Sequence, residues 1–94
     1  MITGKTESGF EFQIDEDLFN DMELLDRLVD ADKGNYRALS DAISCIMGKD
    51  QKQKLYDHVR TESGRVPIKA VANEFREILS LSGSNLKNSS SSPM

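Results

Sequence analysis

Residues 10–29, FEFQIDEDLFNDMELLDRLV, contain the change of hydrophobic period that decides the fold of this chain. Phe10, Phe12 and Ile14 alternate with polar residues, which is the period of two expected for a strand with one buried face. From Asp15 onward the apolar residues recur every three or four positions, a spacing that predicts an amphipathic helix. The stretch therefore predicts a short strand that is followed directly by helical structure.

A β-hairpin is predicted for residues 2–14, with Thr6-Glu7-Ser8-Gly9 as its loop, because glycine can adopt positive φ there at little cost. The same four residue types recur at positions 61–64, where a helical pattern follows instead of a strand. We interpret the two copies as one kind of polar turn used twice, and not as an internal repeat. Since a two-stranded ribbon is marginal alone, its apolar face is expected to lie on helices.

Four helices are predicted after the hairpin, at about residues 16–32, 35–47, 50–60 and 67–81. The second is expected to end near Gly48, and Asp50 with Gln53 resembles a capping box for the third. The expected fold class is mainly α (α+β), with the hairpin packed on a bundle of three to four short helices. Residues 1–81 are predicted to form one globular domain.

Short polar residues mark the predicted helix ends. Asp15 or Asp17 is expected to cap the first helix, whose early acids suit the positive end of the helix dipole. Gly34 is expected to end it in the left-handed conformation, and Asn35 to cap the second helix. Residues 82–94 are rich in serine and asparagine, and predict a flexible, disordered tail.

The charge pattern bears on the class of partner. The net charge is −4 and the isoelectric point about 4.9, so nucleic-acid binding is not expected, since such binding needs a basic face. Residues 15–32 hold eight acids and one base, whereas residues 49–69 hold six bases and three acids. Two interpretations stay open: solvated faces with attraction between helices, or an acidic face that docks a basic partner. No signal peptide and no membrane span are predicted, and the cytoplasm is the expected compartment.

The sequence offers no motif for catalysis, a metal or a cofactor. Acids from Asp15 onward do not fit a calcium loop, and the segment Gly4–Thr6 lacks the spacing of a phosphate-binding loop. His58 is the only histidine and is expected on an exposed helix, too isolated for a metal site. Cys45, the only cysteine, cannot form an internal disulfide and is expected to be buried as a small hydrophobe. We therefore predict that the protein is not an enzyme.

Three segments resemble a known family: ITGKTESGFEFQIDED at residues 2–17, NDMELLDRLVDADKGN at 20–35 and KLYDHVRTESGRVPIKAV at 54–71. Their order is similar to that in small tail assembly chaperones of long-tailed phages and prophages of Gram-positive bacteria. The resemblance covers about residues 2–80. It implies a mainly α-helical protein of the host cytoplasm that binds the tape measure protein and keeps it soluble while the major tail protein polymerises around it.

The family also implies a longer form that is made by a ribosomal frameshift and that recruits the tail tube protein. Leu86-Lys87-Asn88 can be encoded by a slippery A-AAA-AAY heptamer, so this triplet is a candidate shift site. The resemblance implies that this chain is the short form, made without the frameshift.

The candidate partner-binding residues form an apolar stripe near the C-terminal end of the last predicted helix: Val71, Phe75, Ile78 and Leu79. The alternative interpretation of this stripe is core packing. The expected partners are the tape measure protein and the major tail protein, with self-association through the hairpin edge or helix faces as a further hypothesis. A small phage-encoded regulatory adaptor or inhibitor protein is the alternative function.

Overall fold

The computed structural model describes residues 1–82, and it is mainly α-helical with an N-terminal antiparallel hairpin, as the sequence predicts. The predicted tail lies outside the described residues from position 83 onward. In chain order the elements are β1 (Ile2–Lys5), β2 (Glu11–Ile14), a 3-10 turn (Glu16–Phe19), α1 (Met22–Asp32), α2 (Tyr36–Val59) and α3 (Ile68–Ser82).

The hairpin pairs Ile2 with Ile14 and Gly4 with Phe12. Its loop closes through two backbone hydrogen bonds: the Thr6 N–H donates to the Phe10 carbonyl at 2.9 Å, and the Gly9 N–H donates to the Thr6 carbonyl at 2.9 Å. Gly9 has a φ of 98°, in the left-handed region that glycine adopts most readily.

The second Thr-Glu-Ser-Gly copy folds into the same turn. The Thr61 N–H donates to the Arg65 carbonyl at 2.8 Å, the Gly64 N–H donates to the Thr61 carbonyl at 2.9 Å, and Gly64 has a φ of 92°. In both copies the threonine and serine hydroxyl oxygens lie within hydrogen-bonding distance of each other, at 3.2 Å and 2.9 Å. The structure confirms that the two copies are one turn type in two different settings.

The helix predicted at 16–32 is interrupted. Asp15 caps only the short 3-10 turn, accepting a hydrogen bond from the Asp17 N–H at 3.0 Å. Asn20 then leaves the helical region, with φ −97° and ψ 51°, and Asp21 caps α1 by accepting from the Glu23 N–H at 2.9 Å. A short acidic side chain can bond nearby backbone N–H groups outside a helix, so Asp21 starts a new helix here.

The segments predicted at 35–47 and 50–60 are joined in α2, which is broken at Gly48 (φ 78°, ψ 165°). Asn35 caps α2 as expected, accepting from the Ala38 N–H at 3.0 Å, and the preceding Gly34 is left-handed with φ 101°. The expected capping box is not closed by Gln53, whose side-chain amide donates forward to Asp57 at 3.1 Å.

The core lies where α1, α3 and the inner face of the hairpin meet α2. Its largest fully buried side chains are Ile14, Leu24, Ile43, Leu55 and Ile78. This places α1 and α3 on the same central helix, so that a surface cleft remains between them. Among residues 1–82, no helix combines the length and the apolar character that are needed to cross a bilayer.

Candidate functional site

A cleft of about 550 Å³ lies between α1 and α3, with the first half of α2 as its floor. We call it the α1–α3 groove. Its apolar lining comes from all three helices: Leu28, Tyr36, Leu39, Ile68, Phe75 and Leu79. The volume lies within the range of about 300–1,000 Å³ that is usual for ligand pockets, and the lining is the apolar kind that such sites use.

A smaller recess of about 190 Å³ extends the groove along α2. Tyr36, Leu39 and Ile68 line both spaces, and Tyr56 and Val66 continue the apolar surface beyond them. The two recesses therefore form one elongated apolar surface and not two isolated cavities. An elongated shape of this kind suits a helix or an extended peptide better than a compact small molecule.

Two large apolar side chains stand at the mouth of the groove. Tyr36 is 57% exposed and Ile68 is 52% exposed, although both line recesses that also contain buried core residues such as Phe75. Apolar area that stays in contact with water forgoes the stabilisation of burial, at about 25 cal/mol per Å². Exposed apolar side chains that cluster at a cleft are typical of an interaction surface, whereas a single exposed leucine or isoleucine elsewhere needs no explanation.

The rim of the groove carries opposite charges on its two sides. Asp32 lies on the α1 side, and Lys69 and Arg76 lie on the α3 side. All three are exposed, and among residues 1–82 none of them takes part in an ion pair. These charges are therefore available to a bound molecule.

The structure divides the four partner-binding residues predicted from sequence. Val71, Phe75 and Ile78 are buried, with exposed fractions of 5%, 2% and 0%, and belong to the hydrophobic core. Phe75 and the half-buried Leu79 nevertheless line the groove, and Val71 lines its smaller recess. Core packing accounts for Ile78, while Leu79 is the member of the stripe best placed to touch a partner.

Sequence reasoning missed the residues on the other walls. The helical spacing does not distinguish Leu28 and Leu39 from core positions, and Tyr36 directly follows the capping residue Asn35. Ile68 begins α3 directly after Pro67 and is exposed. The position of α1 relative to α3 has no local sequence signature.

A second cluster, which we call the loop latch, ties the hairpin loop to α2 and α3. The hydroxyls of Thr6 and Ser8 both donate to Glu74 Oε1, at 2.9 Å and 3.0 Å, and the Glu7 N–H donates to Glu77 Oε2 at 2.7 Å. Ser8 Oγ also lies 2.8 Å from His58 Nε2. Every one of these bonds joins groups that are at least 50 residues apart in sequence, so the cluster is a tertiary feature.

The latch contains serine, histidine and glutamate, but their order differs from that of a nucleophilic relay. In such a relay the carboxylate orients the imidazole, and the imidazole accepts the serine proton. Here the Glu74 carboxylate contacts the Ser8 hydroxyl itself, at 3.0 Å, so it is not placed as the carboxylate that orients the imidazole in a relay. The imidazole ring also packs against Phe10, at 5.4 Å between ring centroids. The contacts of Ser8 with Glu74 and His58 hold the hairpin loop against α3 and α2.

Cys45 is exposed, which corrects the expectation that it is buried. Its helix buries Ala42, Ile43 and Ile46, and Cys45 lies beside this face and not within it. The Arg27 guanidinium lies 4.0 Å from the Cys45 sulfur.

Comparison with models of protein families, with curated proteins and with solved structures finds no match for this chain.

Proposed function

We propose that this protein is a phage tail assembly chaperone, which binds the tape measure protein and keeps it soluble while the tail tube polymerises. The proposal rests on the resemblance of the three segments within residues 2–80. The observation that supports it in the fold is the α1–α3 groove, an elongated apolar surface with exposed Tyr36 and Ile68 at its mouth. On this proposal the protein acts by binding in the host cytoplasm, without a cofactor.

The groove suits such a client for a physical reason. A long helical polypeptide exposes an apolar stripe that aggregates unless it is covered. An amphipathic helix is recognised when its apolar face lies in a hydrophobic groove, with anchors at spacings of three, four and seven residues. Many copies of a small acidic protein, each covering a few turns of helix, would give the complex a net negative charge and keep it in solution.

Self-association and recruitment of the major tail protein belong to the same proposal. The hairpin edge can pair with another strand only in part, because the Gln51 side chain occupies the outer edge of β2. Its amide oxygen accepts from the Gln13 N–H at 2.8 Å, and its amide nitrogen donates to the Gln13 carbonyl at 2.7 Å. This pair of bonds replaces those of a neighbouring strand, so strand addition at Gln13 is blocked.

Co-expression tests the proposed function. The protein is expressed with a tape measure protein, and the soluble fraction of that protein is measured. We expect a several-fold increase in soluble tape measure protein with the wild-type protein, and a loss of this increase with Ile68→Ser. Asp26→Ser, on the acidic face of α1, is the matched control and is expected to retain it. Unchanged solubility with the wild-type protein would contradict the proposal. A gene placed among early regulatory genes would instead favour the regulatory adaptor or inhibitor.

A further inference from the structure

We infer that the α1–α3 groove binds an amphipathic α-helix whose apolar stripe is flanked by carboxylates on the side facing α3 and by basic residues on the side facing α1. The identification of this helix with a segment of the tape measure protein rests on the proposed function. The binding chemistry depends only on the residues of the groove.

The length of the groove sets the length of the occupant. On α3 the lining extends from Ile68 to Leu79, which at 1.5 Å per residue is about 16 Å of helix. An occupant lying along α3 therefore contacts the groove over about three turns, with apolar residues at spacings of three or four. Leu28 and Leu39 provide the facing wall and the floor.

The charges on the rim of the groove determine which charged residues should flank the apolar stripe of the bound helix. Lys69 and Arg76 are seven residues apart on one face of α3, so their side chains are about 10 Å apart along the helix axis. Carboxylates seven residues apart on a bound helix match this spacing. On the opposite rim Asp32 favours a basic flank. Because the three charges lack ion-pair partners within residues 1–82, the bound helix completes pairs that the folded chain leaves open.

Other occupants fit the rim less well. Residues 83–94 contain no aspartate or glutamate, so that segment offers no acidic side chain to Lys69 and Arg76. The acids of α1 in a second copy would suit the α3 rim, but they would also bring negative charge against Asp32 of the first copy. A partner helix with one acidic and one basic flank satisfies both rims at once.

Three synthetic helical peptides test the inference by fluorescence anisotropy with the full-length protein. They share the apolar stripe and a lysine flank, and differ only at two positions seven residues apart on the other flank, which are both Glu, both Gln or both Lys. The net charge of −4 favours the all-lysine peptide at long range. Preference for the glutamate peptide is therefore a property of the groove. We expect it to bind about five-fold more tightly than the glutamine peptide, with the lysine peptide weakest and the differences shrinking at high salt.

Charge reversal provides the matched comparison. The double variant Lys69→Glu with Arg76→Glu is expected to invert the order of affinity for the three peptides, so that the lysine peptide binds most tightly. Lys49→Glu with Lys54→Glu changes the net charge equally on exposed positions away from the groove, and is expected to keep the order. Equal binding of the three peptides would overturn the inference, and so would inversion by the control pair. The inference would also be overturned if the wild-type protein forms a dimer and the double variant Lys69→Glu with Arg76→Glu is monomeric. That result would assign the groove to a second copy of this chain.

The two proposals fail separately. The peptides contain no phage sequence, so their selective binding without any solubilisation in co-expression would leave the groove chemistry standing and reject the chaperone function. If the protein solubilises its client but binds the three peptides equally, the chaperone function would stand and the charge chemistry of the groove would be rejected.

Discussion

Position 4 holds a glycine because the Phe12 ring leaves no room there for a side chain. The two residues face each other across the hairpin, and a Cβ on Gly4 would lie 2.6 Å from Phe12 Cζ. The Phe12 ring is 3% exposed, so its neighbours hold it in place. The glycine and the aromatic ring thus form one packing unit on the inner face of the hairpin.

We expect Gly4→Ala to lower the free energy of unfolding by about 1–3 kcal/mol, because the ring must leave a well-packed position. Urea denaturation measures the loss. A double-mutant cycle with Phe12→Leu isolates the clash. The double variant is expected to lose less free energy of unfolding than the sum of the losses of the two single variants. Strict additivity would show that Phe12 is not the residue that excludes a side chain at position 4.

Asp57 has a carboxyl group with a lowered pKa. Hydrogen bonds from Arg60, at 2.9 Å, and from Gln53, at 3.1 Å, hold the pKa of Asp57 below its ordinary value of 3.8. A depressed folded-state pKa stabilises the fold at pH above the unfolded-state value, and this contribution disappears as pH falls through the folded-state value. We expect a carbon-detected NMR titration to show Arg60→Leu raising the pKa of Asp57 toward 3.8. Arg65→Leu is the control, and an unchanged pKa in Arg60→Leu would contradict the assignment.

Among the elements, α2 depends on its break at Gly48. The φ of 78° with ψ of 165° lies in a region that is essentially restricted to glycine, and no atom stands within 4 Å of a Cβ built there. The constraint is therefore one of backbone conformation and not of space. The break lets the two halves of α2 face different partners, with the groove on the first half and the hairpin on the second.

Gly48→Ala is expected to lower the free energy of unfolding by about 1–3 kcal/mol through backbone strain alone. Lys49→Ala, one residue further along the exposed surface, is the control and is expected to change it by less than about 0.5 kcal/mol. Thermal and urea unfolding followed by circular dichroism measure both. An alanine at position 48 that stabilises the protein would indicate that α2 can run straight through this position.

Within the loop latch, Glu74 connects α3 to the hairpin loop. This side chain accepts hydrogen bonds from both Thr6 and Ser8, and Thr6 is buried. We expect Glu74→Ala to lower the free energy of unfolding by about 1–3 kcal/mol, because the hydroxyls of Thr6 and Ser8 lose the carboxylate that accepts from both of them. Hydrogen exchange of the hairpin amides is expected to accelerate.

Glu62→Ala, in the exposed second copy of the turn, is the matched control for this change. The same four residue types fold there without a latch, so exchange in the hairpin is expected to stay at the wild-type rate. Equal effects of Glu62→Ala and Glu74→Ala would show that the contacts of Glu74 do not hold the hairpin loop.

At the scale of the whole molecule, α3 serves both the core and the groove. Phe75 is 2% exposed, whereas Ile68 on the same helix is 52% exposed. We expect Phe75→Asp to abolish the helical circular dichroism signal, because removing a buried phenylalanine costs about 3–5 kcal/mol before any charge is buried. Ile68→Ser is expected to retain the native signal and to weaken binding of the glutamate peptide about ten-fold. Unfolding by Ile68→Ser would move this residue into the core.

Local chemistry determined much of the fold from sequence. The period of two at residues 10–14, the asparagine at position 35 and the glycine in each Thr-Glu-Ser-Gly turn act within a few residues, and each was predicted correctly. The interruption at Asn20 and Asp21 was missed because several acids near the start of α1 could each serve as a cap. In the structure Asp21 caps α1, and Leu24 in the first turn of that helix is buried.

The candidate site was predictable only in part. A stripe on α3 identified Leu79 and Phe75 but could not separate a core face from a groove face, since both are apolar and share one helical period. Only the packing of α1 and α3 on α2 decides which side chains remain exposed, and only that packing brings Asp32 opposite Lys69 and Arg76. The elements and their turns therefore follow from the sequence, because they depend on neighbours along the chain. The groove, the exposure of Cys45 and the loop latch follow only from tertiary packing, because they depend on distances between residues far apart in sequence.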